Sequence, residues 1–251
     1  DAGLQYSFGT QASQNTATTS SAGYPAPYTV FYGGQKMQML IKASELTAAG
    51  YSNGSKINNI QFPVVSKGSN WGGSLTANKD FQVSIGNTAL NALTTTFQTG
   101  LTQVVAPADF IPTVGYNNTH PFNTPFVWNG TSNIIIETTF SNNMSGVAND
   151  LVTQYYSPTS YVSTAVYRVD GNTSAAVASA TTITTSTNGF VYNARPDFKL
   201  NGSNTTQSIT WSPAAGLYTD MALTVPYVSG ASATTLYAAP TDATGYTAKA
   251  T

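Results

Sequence analysis

Cysteine is absent from the 251 residues, which excludes a disulfide framework and leaves stability to a buried core, as a chain of this length allows. Charge is nearly as scarce. Only 8% of residues are Asp, Glu, Lys or Arg, where an ordinary soluble domain carries about a quarter. Nine basic residues against ten acidic ones, with no run of one sign, give no field to attract nucleic acid or an anionic membrane. The longest aliphatic run, IIIE at Ile134–Glu137, is far short of the roughly 20 apolar residues of a membrane-spanning helix. Neither a nucleic-acid partner nor membrane insertion is expected.

Catalytic side chains are equally thin. His120 is the single histidine, so a zinc site built from several His or Cys ligands is excluded. It precedes Pro121 in an Asn- and Thr-rich stretch and reads as a loop histidine. Gly50-Tyr51-Ser52-Asn53-Gly54 fits the G-x-S-x-G pattern of a nucleophile elbow, which needs a strand before the serine and a helix after it. Here a helical turn precedes and a strand pattern follows, so the segment reads as a loop. The ten acids are scattered singly, whereas glycosidase chemistry needs a pair. The expectation is a protein that is not an enzyme.

Ser, Thr, Asn and Gln fill the place of charge, as in TATTSSAG at 16–23, TTITTSTNG at 181–189 and NGSNTTQS at 201–208. That composition favours an exported chain, extracellular or at the cell surface. The abrupt start Asp1-Ala2-Gly3 fits a chain whose signal peptide has been removed, and equally a trimmed one. Asn53, Asn117, Asn129, Asn143, Asn172, Asn201 and Asn204 each begin N-x-[ST], which in so Asn- and Thr-rich a chain is a surface hint only.

Period-two alternation of β-branched and aromatic residues, broken by Gly, Asn, Pro and Ser, predicts many half-buried strands. They fall at Val30–Tyr32, Gln38–Ile41, Ile57–Val65, Phe81–Gly86, Leu101–Val105, Phe126–Trp128, Ile134–Phe140, Thr164–Val169, Phe190–Tyr192 and Asp197–Leu200. One short helix is expected in KASELTAAG, capped by Ser44 and ended by Gly50. Turn signals at Asn53-Gly54, Asn129-Gly130, Asp170-Gly171 and Asn188-Gly189 favour antiparallel pairing. The predicted fold is all-β: a jelly-roll-like antiparallel β-sandwich over 1–203, followed by a small Ig-like or PKD-like β module over 204–251. Trp211 and Tyr218 are expected to anchor that second core.

Four stretches carry a family resemblance. YPAPYTVFYGGQKMQMLIKASELTAAGY at 24–51, HPFNTPFVWNGTSNIIIETTFSN at 120–142, YVSTAVYRVDG at 161–171 and ARPDFKL at 194–200 resemble, in order, large secreted Bacteroidota proteins. The tail from Trp211 to Thr251 is similar to the small modules that often follow that first domain. The resemblance implies export by the type IX secretion system, although no C-terminal sorting domain is visible. At Asn129 many relatives are expected to carry Asp; if that Asp binds a cation, this chain has lost the site.

Several residues are candidates for binding. Trp71, in Ser69-Asn70-Trp71-Gly72-Gly73-Ser74, either stacks on a sugar or partner or folds back on the sandwich. Tyr155, Tyr156 and Tyr161 suit a contact surface, each pairing apolar area with a polar tip, and sheet propensity accounts for them as well. Asp150 and Asp170, with neighbouring Asn149, Gly171 and Asn172, offer oxygen ligands of the kind calcium accepts, or simply form turns. The uncharged segment 233–239, ATTLYAA, reads as an open strand edge where Thr235 or Tyr237 would meet another chain. Two functions follow: a structural or adhesive surface protein, strung as modules or assembled into a filament of its own copies; or a carbohydrate-binding accessory module that recognises polysaccharide.

Overall fold

A computed structural model describes residues 3–15, 25–28, 30–68, 77–143, 152–183, 189–204 and 208–250. The chain divides into two compact units, 1–204 and 205–251. Trp71 and Asp150 lie outside the described residues.

In the first unit the strands run β1 (Gly3–Phe8), β2 (Ser13–Gln14), β3 (Gly34–Ile41), β4 (Lys56–Gln61), β5 (Ser66–Lys67), β6 (Asn78–Thr88), β7 (Thr102–Phe110) and β8 (Thr119–Val127). They continue as β9 (Asn133–Ser141), β10 (Val152–Thr153), β11 (Tyr155–Pro158), β12 (Thr164–Val169), β13 (Gly189–Tyr192), β14 (Ala194–Pro196) and β15 (Phe198–Ser203). Two short helices interrupt them, α1 (Ala43–Ala48) and α2 (Ser174–Ser179). A four-stranded sheet in the order β1-β15-β4-β8 and a six-stranded sheet in the order β13-β12-β3-β9-β6-β7 are antiparallel throughout. The all-β antiparallel sandwich read from the sequence is the fold of this unit.

The main core joins Met37, Met39 and Ile41 of β3 and Ile134 and Ile136 of β9 to Ile57, Ile60, Phe198 and Leu200 of the smaller sheet. Burying a side chain of this size is worth about 1.5–3 kcal/mol, so this cluster dominates the stability of the unit. The six-stranded sheet is covered on its other face too, where Leu40, Ile135 and Ala165 meet Leu93, Phe97 and Ile183. Double coverage explains why β9 reads NIIIETTFS, a continuous apolar run rather than an alternation. Pro121 and Pro125 lie on β8, an edge of the smaller sheet, and Pro107 on β7, an edge of the larger. Edges are where a missing N–H is tolerated.

The structure corrects several sequence expectations. Val30–Tyr32 is buried at Val30 but is not a strand. His120 belongs to β8 and is buried, not in a loop. Helix α1 is capped at Lys42 rather than Ser44, because the Glu45 carboxylate accepts from Lys42 N at 2.8 Å and the Asn133 side chain accepts from Ala43 N at 2.8 Å. Helix α2, not foreseen, starts where the Thr173 hydroxyl accepts from Ala176 N.

The second unit holds β16 (Ile209–Ser212), β17 (Leu217–Tyr218), β18 (Tyr237–Ala238) and β19 (Thr247–Ala250), paired as β16 with β19 and β17 with β18. Its buried apolar residues are Leu217 and Tyr227, while Trp211 and Tyr218 are half-buried. Trp211 is a rim residue fixed by its indole N–H, which donates to Ala233 O at 2.8 Å. The segment 233–239 is not a continuous strand: only Tyr237 and Ala238 pair, and Thr235 is exposed outside any strand. A two-residue edge next to Pro240 offers little template for strand addition.

Candidate functional site

A cleft of about 520 Å³ opens in the first unit. The N-terminal turn of α1 contributes Lys42, Ser44 and Glu45; the stretch from β11 contributes Ser157 through Tyr161; β14 and the residue after it contribute Arg195 and Asp197; Gly9 and Thr10 close one side. Glu45 sits in the cleft because the capping box turns it back on the helix start, which leaves its other lone pairs facing β14. Arg195 fills them in a fork: Nη2 donates to Oε1 at 2.6 Å and Nη1 to Oε2 at 3.2 Å. The same Nη1 lies 2.9 Å from Leu40 O and 3.1 Å from the Tyr161 hydroxyl, which itself donates to Glu45 Oε2. The stacked Phe8 and Phe198 rings lie beside the guanidinium, their centres 5.8 and 5.4 Å away.

This network sets the charge of the cleft. Burial pushes the Glu45 carboxyl up, but the hydrogen bond and charge of Arg195, with Tyr161 and Lys42 N, outweigh it and hold Glu45 below the usual range. Burial, followed by the Glu45 bond and charge, raises Tyr161, against the opposing charge of Arg195, so its phenol stays protonated and keeps donating to Glu45. The Lys42 ammonium rests 4.2 Å from the centre of the Tyr161 ring, an attractive cation–π geometry. Asp197 is raised by burial, partly countered by Ser157, Gln11 N and Arg195. Two cations and two carboxylates therefore share a lining that also carries the hydroxyls of Thr10, Ser44, Ser157, Thr159 and Ser160.

Asp197 lies under a strap of chain. Its Oδ1 accepts from Ser157 Oγ at 2.7 Å and its Oδ2 from Gln11 N at 2.5 Å. Gly9 crosses directly over the carboxylate with φ +107°, and a Cβ there would stand 2.1 Å from Oδ1. Only glycine fits this approach. Beyond the strap is a smaller cleft of about 270 Å³ formed by Ser7, Phe8, Gln11, Tyr116 and Phe198 with Gly9, Thr10 and Asp197.

Of the residues singled out from the sequence, Tyr161 lies in the cleft. Tyr155 and Tyr156 are half-buried on β11, paired with β2 and β14, and do not line it. The Asp170 Oδ1 accepts from Gly33 N at 2.7 Å, and no group of three or more His, Cys, Asp or Glu side chains gathers among the described residues. His120 lies in an aromatic cage, its ring centroid 4.5 Å from Phe81 and 4.4 Å from Phe110, with Nε2 2.6 Å from the Tyr28 hydroxyl. Burial lowers its pKa to about 3, so the ring is neutral. Lys42, Glu45, Arg195 and Asp197 were missed as site residues. Their signals, KASE and RPD, stood inside stretches quoted above for the resemblance, for the expected helix and for a predicted strand, but not as chemistry.

No protein-family model matches the chain, and no curated protein matches it. Among solved structures, the chain is similar to the clostridial cysteine protease Cwp84 after propeptide cleavage, with a TM-score of 0.42 and 8% identity over 80% of this chain and 40% of that one. It is also similar to the cysteine protease and lectin-like domains of Cwp84, a surface layer associated protein of Clostridium difficile. That TM-score is 0.36, with 11% identity over 74% of this chain and 38% of that one. The chain thus spans about 40% of the length of these proteins, and likenesses this distant carry no argument about what it does. Among the described residues, no helix is long and apolar enough to cross a membrane.

Proposed function

We propose that this chain is an adhesive, glycan-binding module of an extracellular surface protein of the Bacteroidota secreted kind, and not an enzyme. The observation that carries the reading is the cleft lining: charges that balance, several hydroxyls, and a Glu45–Arg195–Tyr161 frame held by its own hydrogen bonds. A frame held by its own hydrogen bonds is pre-organised, which lowers the entropy lost when a ligand binds. A balanced, hydroxyl-rich wall suits a neutral polyol better than an ion, since an ionic ligand would meet a like charge beside each opposite one. The sparse charge of the whole chain, 8% of residues, supports an exported protein.

A glycan array read with the purified chain tests this. Ser160 is exposed at the cleft wall and stands outside the Arg195 network, so Ser160→Trp should fill the cleft without unfolding the sandwich. Binding to one or more neutral polysaccharides, reduced at least about tenfold in Ser160→Trp, is the expected result. An array on which no neutral glycan is bound overturns the reading.

One observation favours assembly of copies as a second role. The second unit exposes Met221 (81%) and Val228 (70%), with Leu223 and Val225 also outside, while its charged residues are only Asp220, Asp242 and Lys249. Exposed apolar side chains with so few charges around them meet little repulsion from a second copy, which is the partner this reading names. Sedimentation should show association that grows with concentration and is weakened by Val228→Lys; a monomer at every concentration rules it out.

A further inference from the structure

The two clefts on either flank of the Gly9–Gln11 strap share Gly9, Thr10 and Asp197. Resting on the glycan-binding reading above, we infer that they are successive subsites of one groove for an extended, neutral polysaccharide chain, with the Asp197 carboxylate at their junction.

The carboxylate is divided between the two sides. Ser157, which bonds Oδ1, lines the larger cleft and not the smaller; Gln11, whose N–H bonds Oδ2, lines the smaller and not the larger. Asp197 is buried beneath the strap, so it ties the Ser157 and Gln11 walls of the two clefts together and fixes their spacing rather than meeting the sugar itself. The strap lies directly on this group, because Gly9 has no side chain to hold it away, so the wall between the clefts is one backbone thick.

Size supports the same arrangement. Stand-alone small-ligand sites occupy roughly 300–1,000 Å³. The larger cleft, at about 520 Å³, falls within that range, and the smaller, at about 270 Å³, falls below it. The smaller one is an extension, not an independent site. Its chemistry fits a sugar ring: Asp197 is its one charged residue, and Tyr116 supplies fixed apolar area. Tyr116 is held from two directions, by the Gln11 side-chain amide at its hydroxyl and by the Lys199 ammonium 4.3 Å from its ring centre. An aromatic ring already immobilised can take the C–H face of a sugar at little entropic cost.

The test is titration calorimetry of the full chain with two neutral ladders, maltose to maltohexaose and cellobiose to cellohexaose. In the ladder that binds, affinity should rise at least about tenfold from disaccharide to hexasaccharide. Tyr116→Ala should abolish that gain, Tyr116→Phe should retain it, and Ser160→Trp should weaken every length. Affinity independent of length, or a Tyr116→Ala loss equal at all lengths, overturns the groove and leaves the glycan-binding reading standing. Binding by neither ladder overturns the groove, while the glycan array described above decides the glycan-binding reading by itself. The length series on the wild-type chain decides the matter even if Tyr116→Ala fails to fold.

Discussion

Replacing Glu45 with Gln removes one charge from the cleft while keeping shape and an acceptor oxygen. Arg195 would then be a cation with 6% of its side chain exposed, facing Leu40 O, the Tyr161 hydroxyl and a neutral amide, with the Asp197 carboxylate as its remaining anionic neighbour. Breaking a fully buried ion pair by removing one partner costs about 3–5 kcal/mol. The Glu45 side chain is 29% exposed, so water can reach the site from one side, and the expected loss is at the lower end, about 3 kcal/mol. The pair Lys79–Asp109 provides the contrast: 3.8 Å apart and 53% and 57% exposed, it should contribute no more than about 1 kcal/mol, and Asp109→Asn is the matched control.

The same substitution predicts a pH dependence with a fixed sign. The folded-state pKa of Glu45 is held below its unfolded value, which for a free glutamate is about 4.3. The stabilisation is therefore complete above about pH 5 and is lost as pH falls below 4.3 through the folded pKa. Glu137 and Asp197, both raised chiefly by burial, contribute with the opposite sign: their cost appears as pH rises. They are present in both proteins and largely cancel in the difference. Urea unfolding of wild type and Glu45→Gln, followed by fluorescence of the fully buried Trp128, should show a gap of about 3 kcal/mol at pH 7 that narrows towards pH 3. A gap that is flat with pH, or no larger than that of Asp109→Asn, refutes the staple as described.

His120 should remain neutral from pH 8 down to about pH 4, because its folded pKa is pushed to about 3 by burial among aromatic rings; ring proton shifts that titrate near 6.5 would contradict the cage. Since the unfolded chain gains a proton there first, this histidine also costs stability as pH falls from about 6.5. In the second unit, Leu217→Ala should cost about 2–5 kcal/mol and open residues 208–250 to thermolysin. Tyr218→Ala, at a half-buried position, should have the smaller effect, and the reverse order would mean that the small core is centred elsewhere.

How far the sequence is readable depends on whether a residue acts through its neighbours along the chain. Strands β3, β6, β9 and β12 were visible because alternation, β-branching and, in β9, a short apolar run are local properties, and their predicted spans fall inside the observed ones. Strand β8 was misread around His120 because Pro121 and Pro125 carry a turn signal; they are compatible with a strand only at a sheet edge, which is a tertiary fact. The α1 cap went wrong for a related reason. Ser44 satisfies the local rule, yet Asn133 arrives from 90 residues away to take the Ala43 N–H, and that frees the chain to start the helix earlier.

The cleft was hidden more deeply. Glu45 and Arg195 stand 150 positions apart, and Gln11 and Asp197 186 apart, so no spacing rule could join them. Composition held a usable signal that points inward as well as outward. In a chain with nine Lys and Arg, Lys36, Arg168 and Arg195 are all buried, although such residues are almost never fully buried unless paired. Each has a defined setting: Lys36 with Glu137 at 3.3 Å, Arg168 between the rings of Tyr32 and Phe190, and Arg195 with Glu45. Sparse charge on a β-sandwich leaves fewer cations for the solvated surface, so a larger share of those present hold structure. Reading each cation of a low-charge chain as a candidate interior staple would have marked Arg195 before the fold was known, while its partner among ten scattered carboxylates is a tertiary fact.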